Sequence, residues 1–142
     1  KSVLVNARFA AWDFSAASCI DGIWGAGAAS ASDWSTCHND VAETRPWLSV
    51  WLPAAAYVSS VLVHNRGDCC QQHLGSYQVW VGDAVGDPLA SPGRMAQCQP
   101  GDALIAPETS GPFTVTCELV GTHVTLLLPG ANRALMLDDP VP

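Results

Sequence analysis

The segment Pro46-Trp-Leu-Ser-Val-Trp-Leu52 alternates in side-chain character along its length. One face carries Leu48, Val50 and Leu52, and the opposite face carries two tryptophans and a serine. This period of two residues predicts a β-strand. Helical periodicity is hard to find, because the alanine-rich residues 26–32 are interrupted by glycine and serine and have no charged face. The fold is therefore expected to consist of strands.

Five further segments have the composition of strands, with β-branched and aromatic residues between turn-forming ones. They cover residues 58–65, 76–81, 113–117, 122–128 and 134–137. Long loops occupy the intervals 13–45, 66–75 and 82–112. Many strands, little helix and loops that carry cysteines predict a single all-β domain over residues 1–142, an antiparallel β-sandwich or jelly roll.

The composition excludes several classes of partner. Of the 142 residues, 49% are hydrophobic and only 13% are charged, which is typical of a folded domain and not of a disordered segment. The net charge of −7 argues against nucleic acid and against an anionic membrane surface. The apolar runs are far shorter than a span of about 20 residues, so no membrane insertion is expected.

The cysteine count favours an oxidising compartment. Six cysteines in a short chain suggest three disulfides and an extracellular or cell-surface location, and the absence of a C-x2-C pair makes zinc ligation the weaker interpretation. The adjacent Cys69 and Cys70 can close a strained eight-membered ring, a geometry more often found at working sites. The alternative is that each pairs with a distant cysteine, and the residues alone leave both possibilities open.

The same segment carries a charged pair, Arg66 and Asp68, with a glycine between them that permits a tight turn. A carboxylate beside a guanidinium can fix its orientation and leave other donors for two neighbouring hydroxyl groups. A solvated Arg-Gly-Asp surface turn is the alternative interpretation.

The stretch Asn65-Arg-Gly-Asp-Cys-Cys-Gln-Gln-His-Leu74 resembles the signature segment of the F-type lectins, the fucose-binding fucolectins. The family pattern is a His, a couple of dozen residues, Arg-x-Asp, four residues, and Arg or Lys; here 27 residues lie between His38 and Arg66. The resemblance extends from about Asn6 to Asp138. It includes Cys19-Ile-Asp-Gly22, Thr36-Cys-His38, Glu43-Thr-Arg-Pro-Trp47, Phe113-Thr-Val-Thr-Cys117 and Val124-Thr-Leu-Leu-Leu-Pro-Gly130.

The resemblance implies a discoidin-like jelly roll with a sugar pocket built by loops at one end. His38 and Arg66 would donate hydrogen bonds to fucose hydroxyls, Asp68 would orient the cationic side chains, and the Cys69–Cys70 disulfide would form an apolar platform against the ring. The third cationic position holds His73 in place of Arg or Lys. A neutral imidazole offers one donor and one acceptor, so fucose binding is expected to be weakened, altered or lost.

The resemblance also bears on the other disulfides and on a metal. In the family, the cysteine before the binding His pairs with one in the C-terminal strand, but that place holds Leu137 here, so Cys37 is expected to pair with Cys19. Cys98 with Cys117 is similar to the family's other bridge. A structural calcium ion is expected near Asp21 with a carboxylate at Asp138 or Asp139, because hard oxygen ligands suit calcium. The alternative is an ordinary Asp-Gly turn with a solvated acidic tail.

The predicted function is non-catalytic binding of fucosylated glycans or related sugars, within a module of a larger extracellular protein. The Pro-rich end at residues 139–142 is consistent with such a module. The alternative is a domain that has changed its specificity and serves as a protein-interaction or adhesion module. No catalytic motif or motif-spaced pair of acidic residues suggests an enzyme.

Overall fold

The computed structural model describes residues 2–5, 36–38, 43–66 and 70–138. These contain eight strands: Ser2–Val5 (β1), Thr36–His38 (β2), Trp47–Val63 (β3), Ser76–Gly82 (β4), Met95–Gln97 (β5), Leu104–Ile105 (β6), Phe113–Leu127 (β7) and Met136–Asp138 (β8). All their pairings are antiparallel, in the order β1-β3-β7-β4-β5 with β6 beside β4, and β2 pairs with β8 in a separate ribbon. The predicted all-β sandwich is confirmed.

Strand β3 corrects the sequence prediction of two strands at 46–52 and 58–65. Its two halves both pair with β7 and are separated by a large bulge, in which residues 52–55 lie against the single residue Thr122. Pro53 lies within this bulge and has no N–H to donate to a neighbouring strand. The strand continues because pairing resumes on the far side of the bulge.

Strand β7 likewise replaces the two predicted strands at 113–117 and 122–128. A second bulge divides it, where Ser59 of β3 lies opposite both Cys117 and Glu118. Glu118 adopts a φ of 55°, in the left-handed region, which allows the extra residue to be accommodated without ending the strand.

The boundaries in the predicted loops also differ. The interval 13–45 contains β2, and the interval 82–112 contains β5 and β6. The last strand covers Met136–Asp138 instead of 134–137. Strands of two or three residues are too short to give a period-two signal, and each is defined by a partner that is distant in sequence.

The two halves of the long strands differ in how they are covered. Near the start of β3 both faces are buried, and the fully buried Ser49 and Thr125 hydroxyls hydrogen-bond to each other across the strands. The Gly86 amide donates to Ser49 Oγ at 3.0 Å, and a Cβ on Gly86 would lie 3.0 Å from the Trp47 ring. The loop after β4 therefore closes this face, and glycine permits the approach.

The other half of β7 alternates between inward and exposed side chains, as expected for a strand with solvent on one face. The core is continuous and is formed by Leu48, Val63, Leu74, Tyr77, Val79, Val81, Cys98, Ala106, Val115, Leu126, Leu128, Leu135 and Leu137.

The predicted disulfide between Cys98 and Cys117 is confirmed, with a Cα–Cα distance of 4.4 Å. Cys98 is almost fully buried, and its amide donates to the Val79 carbonyl at 2.8 Å. The bridge therefore fastens the segment after β5 to the core beside the second bulge of β7.

A partly buried ion pair holds the chain that enters β3. Arg45 donates from Nε and Nη2 to the two carboxylate oxygens of Asp87 at 2.8 and 2.9 Å. Asp87 also accepts from the Leu89 amide and so caps the short 3-10 helix Pro88–Ala90. The hydrogen bond from Arg45 lowers the pKa of Asp87, although burial opposes the shift.

Candidate functional site

Strand β8 connects the two parts of the predicted sugar site. On one edge it pairs with β2, so that Cys37 lies opposite Leu137 and His38 opposite Met136. On its other edge Leu137 forms a β-bridge with Asn65, the residue before Arg66. Neighbouring strands lie about 4.8 Å apart, so β2 and the Asn65 segment are separated by about 10 Å. Both run antiparallel to β8, which gives His38 and Arg66 equivalent register positions.

Leu137 lies directly opposite Cys37 in the pairing of β2 with β8. According to the resemblance, this is the position at which F-type lectins carry their C-terminal cysteine. Leu137 is buried in the core. The predicted pairing of Cys37 with Cys19 stays a prediction, because Cys19 and the Cys37 side chain lie outside the described residues.

Asn65 organises the start of the signature loop. Its side chain is 1% exposed; Nδ2 donates to the Gln71 carbonyl at 2.8 Å, and Oδ1 accepts from the Arg66 amide at 2.9 Å. Its own amide donates to the Ser110 carbonyl at 2.9 Å. One side chain therefore joins the two ends of residues 66–71. This role of Asn65 is not among the sequence predictions, although an asparagine at the end of a β-branched strand is a signal for side-chain bonding to a turn.

The far side of the loop is a tight turn. Cys70 has φ 63° and ψ 25° and precedes the 3-10 helix Gln71–His73, in which the His73 amide donates to the Cys70 carbonyl at 3.0 Å. Arg66, Cys70 and His73 are all partly exposed. Three of the predicted contact residues are thus presented by one loop, at a surface that a ligand can reach.

The state of the adjacent cysteines is described in part. Cys70 is disulfide-bonded. Because Cys98 and Cys117 bond to each other, the partner of Cys70 is one of the remaining three cysteines, Cys19, Cys37 and Cys69. Asp68 and Cys69 lie outside the described residues, so the vicinal disulfide and the orienting role of Asp68 stay predictions.

The calcium site is not tested by the described residues. Asp21 lies outside them, and Asp138 is described by its backbone alone, at the end of β8 opposite Thr36. The described part of the chain contains no group of three or more His, Cys, Asp or Glu side chains arranged to hold a metal ion. Within the same residues, no helix has the length and apolar character to cross a membrane.

Comparison with known proteins assigns the chain to a family. The family described as NedA-like, galactose-binding domain, of F5/F8 type C, matches residues 18–99, which are more than half of the chain. Fucolectin-5 of Anguilla japonica is 28% identical over 101 residues, covering 70% of this chain and 51% of that protein. The chain therefore spans about half the length of the curated relatives it matches.

Solved structures agree with this assignment. The crystal structure of an F-lectin (fucolectin) from the serum of striped bass, Morone saxatilis, superposes with a TM-score of 0.76 at 28% identity and covers 96% of this chain and 44% of that one. A fucose binding module of Streptococcus pneumoniae has a TM-score of 0.71 at 15% identity over 98% of this chain and 90% of its own, a likeness of fold alone. The chain belongs to the F5/F8 type C family of NedA-like, galactose-binding domains, and it is an F-type lectin domain.

Proposed function

We propose that this domain binds fucose-type glycans, without catalysis, through a pocket built by loops at one end of the sandwich. The observation that carries the proposal is the position of β8, which pairs with the strand of His38 on one edge and with Asn65, next to Arg66, on the other. The relatives named fucolectin support this choice of sugar.

The proposed chemistry uses the residues of the signature loop. Arg66 and His38 donate hydrogen bonds to sugar hydroxyls, Asp68 orients them, and a Cys69–Cys70 bridge packs against the apolar face of the ring. A neutral sugar is held by a few converging polar groups beside an apolar wall. His73 adds one further donor.

The domain is proposed to work outside the cell as one module of a longer protein. The Cys98–Cys117 disulfide supports an oxidising compartment. The striped bass relative was obtained from serum. The net charge of −7 suits a neutral ligand better than a polyanion. A structural calcium ion held with the help of Asp21 and Asp138 belongs to the same proposal.

Isothermal titration with L-fucose, D-galactose and a panel of fucosylated glycans tests the proposal. We expect saturable binding of a fucosylated ligand, and we expect Arg66→Met to abolish it. Arg94→Met is the matched control, because Arg94 is exposed and bonds to Asp83, far from the signature loop in sequence. Preferential binding of galactose, or equal binding by wild type and Arg66→Met, would contradict the proposal. Hydrolysis of an aryl fucoside would contradict the non-catalytic assignment.

The role of His73 is tested by substitution. His73→Arg restores the family's cationic position and is expected to strengthen fucose binding by about 10- to 100-fold, the value of one charge-assisted hydrogen bond. His73→Gln keeps a neutral donor and acceptor and should bind at about the wild-type level. Unchanged affinity in His73→Arg would remove His73 from the site.

A further inference from the structure

We propose that Arg133 is a positioning residue for the sugar-binding loop, which it holds at the point where the loop enters β4. This inference rests on the proposed sugar-binding function. Arg133 lies between β7 and β8, outside the family pattern of the signature segment, and it is 60 positions from His73 in sequence.

The guanidinium of Arg133 is a four-point clamp. Nη2 donates to the carbonyl oxygens of Leu74 and Ser76 at 2.7 and 2.9 Å. Nη1 donates to Ser76 Oγ at 2.9 Å and to the Pro129 carbonyl at 2.7 Å. The planar fork of arginine suits this task, because it presents donors in fixed directions to several acceptors at once.

None of these four acceptors is a carboxylate. Burial lowers the pKa of Arg133, since the cation loses water without gaining an anion among these partners. Four hydrogen bonds from one partly buried guanidinium restrict the positions of the groups that accept them. The clamp fixes the backbone from Leu74 to Ser76 in a single arrangement.

The residues that are clamped lie directly after the proposed contact residue His73. Leu74 is fully buried. Gly75 has a φ of 48°, and a Cβ added to it would lie 3.2 Å from Arg133 Nη2. The Gly75 carbonyl also accepts from the Ala106 amide at 2.9 Å. Little displacement is therefore possible at this end of the loop.

Arg133 is itself held in place by its backbone. Its amide and carbonyl exchange hydrogen bonds of 2.9 and 2.8 Å with Glu43. Asn65 fixes the first end of the loop through Gln71, and Arg133 fixes the second through Leu74. Arg66, Cys70 and His73 are thus carried between two anchors, one on each side.

Hydrogen–deuterium exchange tests the clamp without any sugar. The measurement is made at a temperature where the variant is folded. We expect Arg133→Met to speed the exchange of the amides of residues 70–76 by about tenfold or more and to change exchange in β7 little. Arg94→Met, the exposed counterpart, should change neither region. Arg133→Lys should give an intermediate rate, because an ammonium group cannot reach all four acceptors. Equal acceleration throughout the chain would reduce Arg133 to a structural residue and overturn the inference.

Sugar affinity provides the second measurement. For folded Arg133→Met we expect a fucosylated ligand to bind about tenfold or more weakly, because small misplacement of polar groups is costly, and Arg133→Lys should recover part of the loss. Unchanged affinity would overturn the inference. If wild type binds no sugar at all, the proposed function is wrong, and the exchange experiment alone decides whether Arg133 holds the loop.

Discussion

Replacing Asn65 by alanine should destabilise the protein and should do so through the signature loop. The side chain is 1% exposed and makes two hydrogen bonds, to the Gln71 carbonyl at 2.8 Å and from the Arg66 amide at 2.9 Å. Each lost bond is worth about 1 kcal/mol, and each backbone group left without a partner costs about 1–3 kcal/mol when it is buried. Because Arg66 and Gln71 are partly exposed, water can replace part of the loss. We expect a decrease of about 2–4 kcal/mol in the free energy of unfolding.

Urea denaturation followed by tryptophan fluorescence measures this change. With a slope of about 2 kcal/mol per molar urea, the midpoint should fall by about 1–2 M while the slope stays constant. The control is Gln72→Ala, which removes an exposed amide from the same loop and should stay within about 0.5 kcal/mol of wild type.

Asn65→Asp distinguishes hydrogen bonding from a loss of packing. The carboxylate keeps the acceptor for the Arg66 amide but presents an oxygen to the Gln71 carbonyl, so only the protonated acid can donate there. The folded state then binds a proton more strongly than the unfolded state, and stability should fall as the pH rises above about 4. An alanine variant within 0.5 kcal/mol of wild type, or an aspartate variant with no such pH dependence, would refute this account of Asn65.

Three further predictions concern other parts of the molecule. Asp87→Asn should lower the free energy of unfolding by about 1 kcal/mol at pH 7, in keeping with a partly buried ion pair. Because the pKa of Asp87 is lowered in the folded state, the ion pair stabilises the protein above the ordinary pKa of the carboxyl group, and this stabilisation disappears as the pH falls below about 4. Equal stabilities of variant and wild type at pH 7, measured by thermal melting, would contradict the role of the pair. Gly121→Ala should lower the free energy of unfolding by about 3 kcal/mol, because its Cβ would lie 2.6 Å from the Gly82 carbonyl oxygen. Gly93→Ala is the control: it has open space around it, and the strain of its positive φ alone should destabilise the protein by about 1–2 kcal/mol. A smaller destabilisation by Gly121→Ala than by Gly93→Ala would argue against the close approach. Calcium at about 100 times its dissociation constant should stabilise the protein by about 2.7 kcal/mol and raise its melting temperature, and EDTA should reverse that rise. An unchanged melting temperature, or a full calcium response in Asp21→Asn, would exclude the predicted site.

The signature segment could be interpreted from the sequence because its residues are close together in the chain. Arg66 and His73 belong to one loop, and the loop begins where a β-branched strand ends, so their proximity needs no tertiary information. The pairing of Cys98 with Cys117 was also predicted correctly, by resemblance, and the fold places them 4.4 Å apart at Cα. Local patterning also identified β4 nearly to the residue.

The two long strands could not be predicted. A bulge is seen in sequence as an interruption, and Pro53 and the link before Thr122 both interrupt the apolar pattern. Whether a strand ends or continues past such a point depends on whether its partner resumes pairing on the other side. In β3 and β7 each strand provides that partner for the other.

By itself, the sequence determined the class of fold, the family and the loop that carries most of the proposed site, since these depend on side-chain periodicity and on residues that are close in the chain. Only the tertiary structure decided how that loop is held. Asn65 bonds to Gln71 across a turn, Arg133 reaches Leu74 from 59 positions away, and β8 joins His38 to the Arg66 segment. An arginine or an asparagine has no local pattern that names its acceptors; these are backbone carbonyls, which every residue carries, and only folding selects which of them lie within reach.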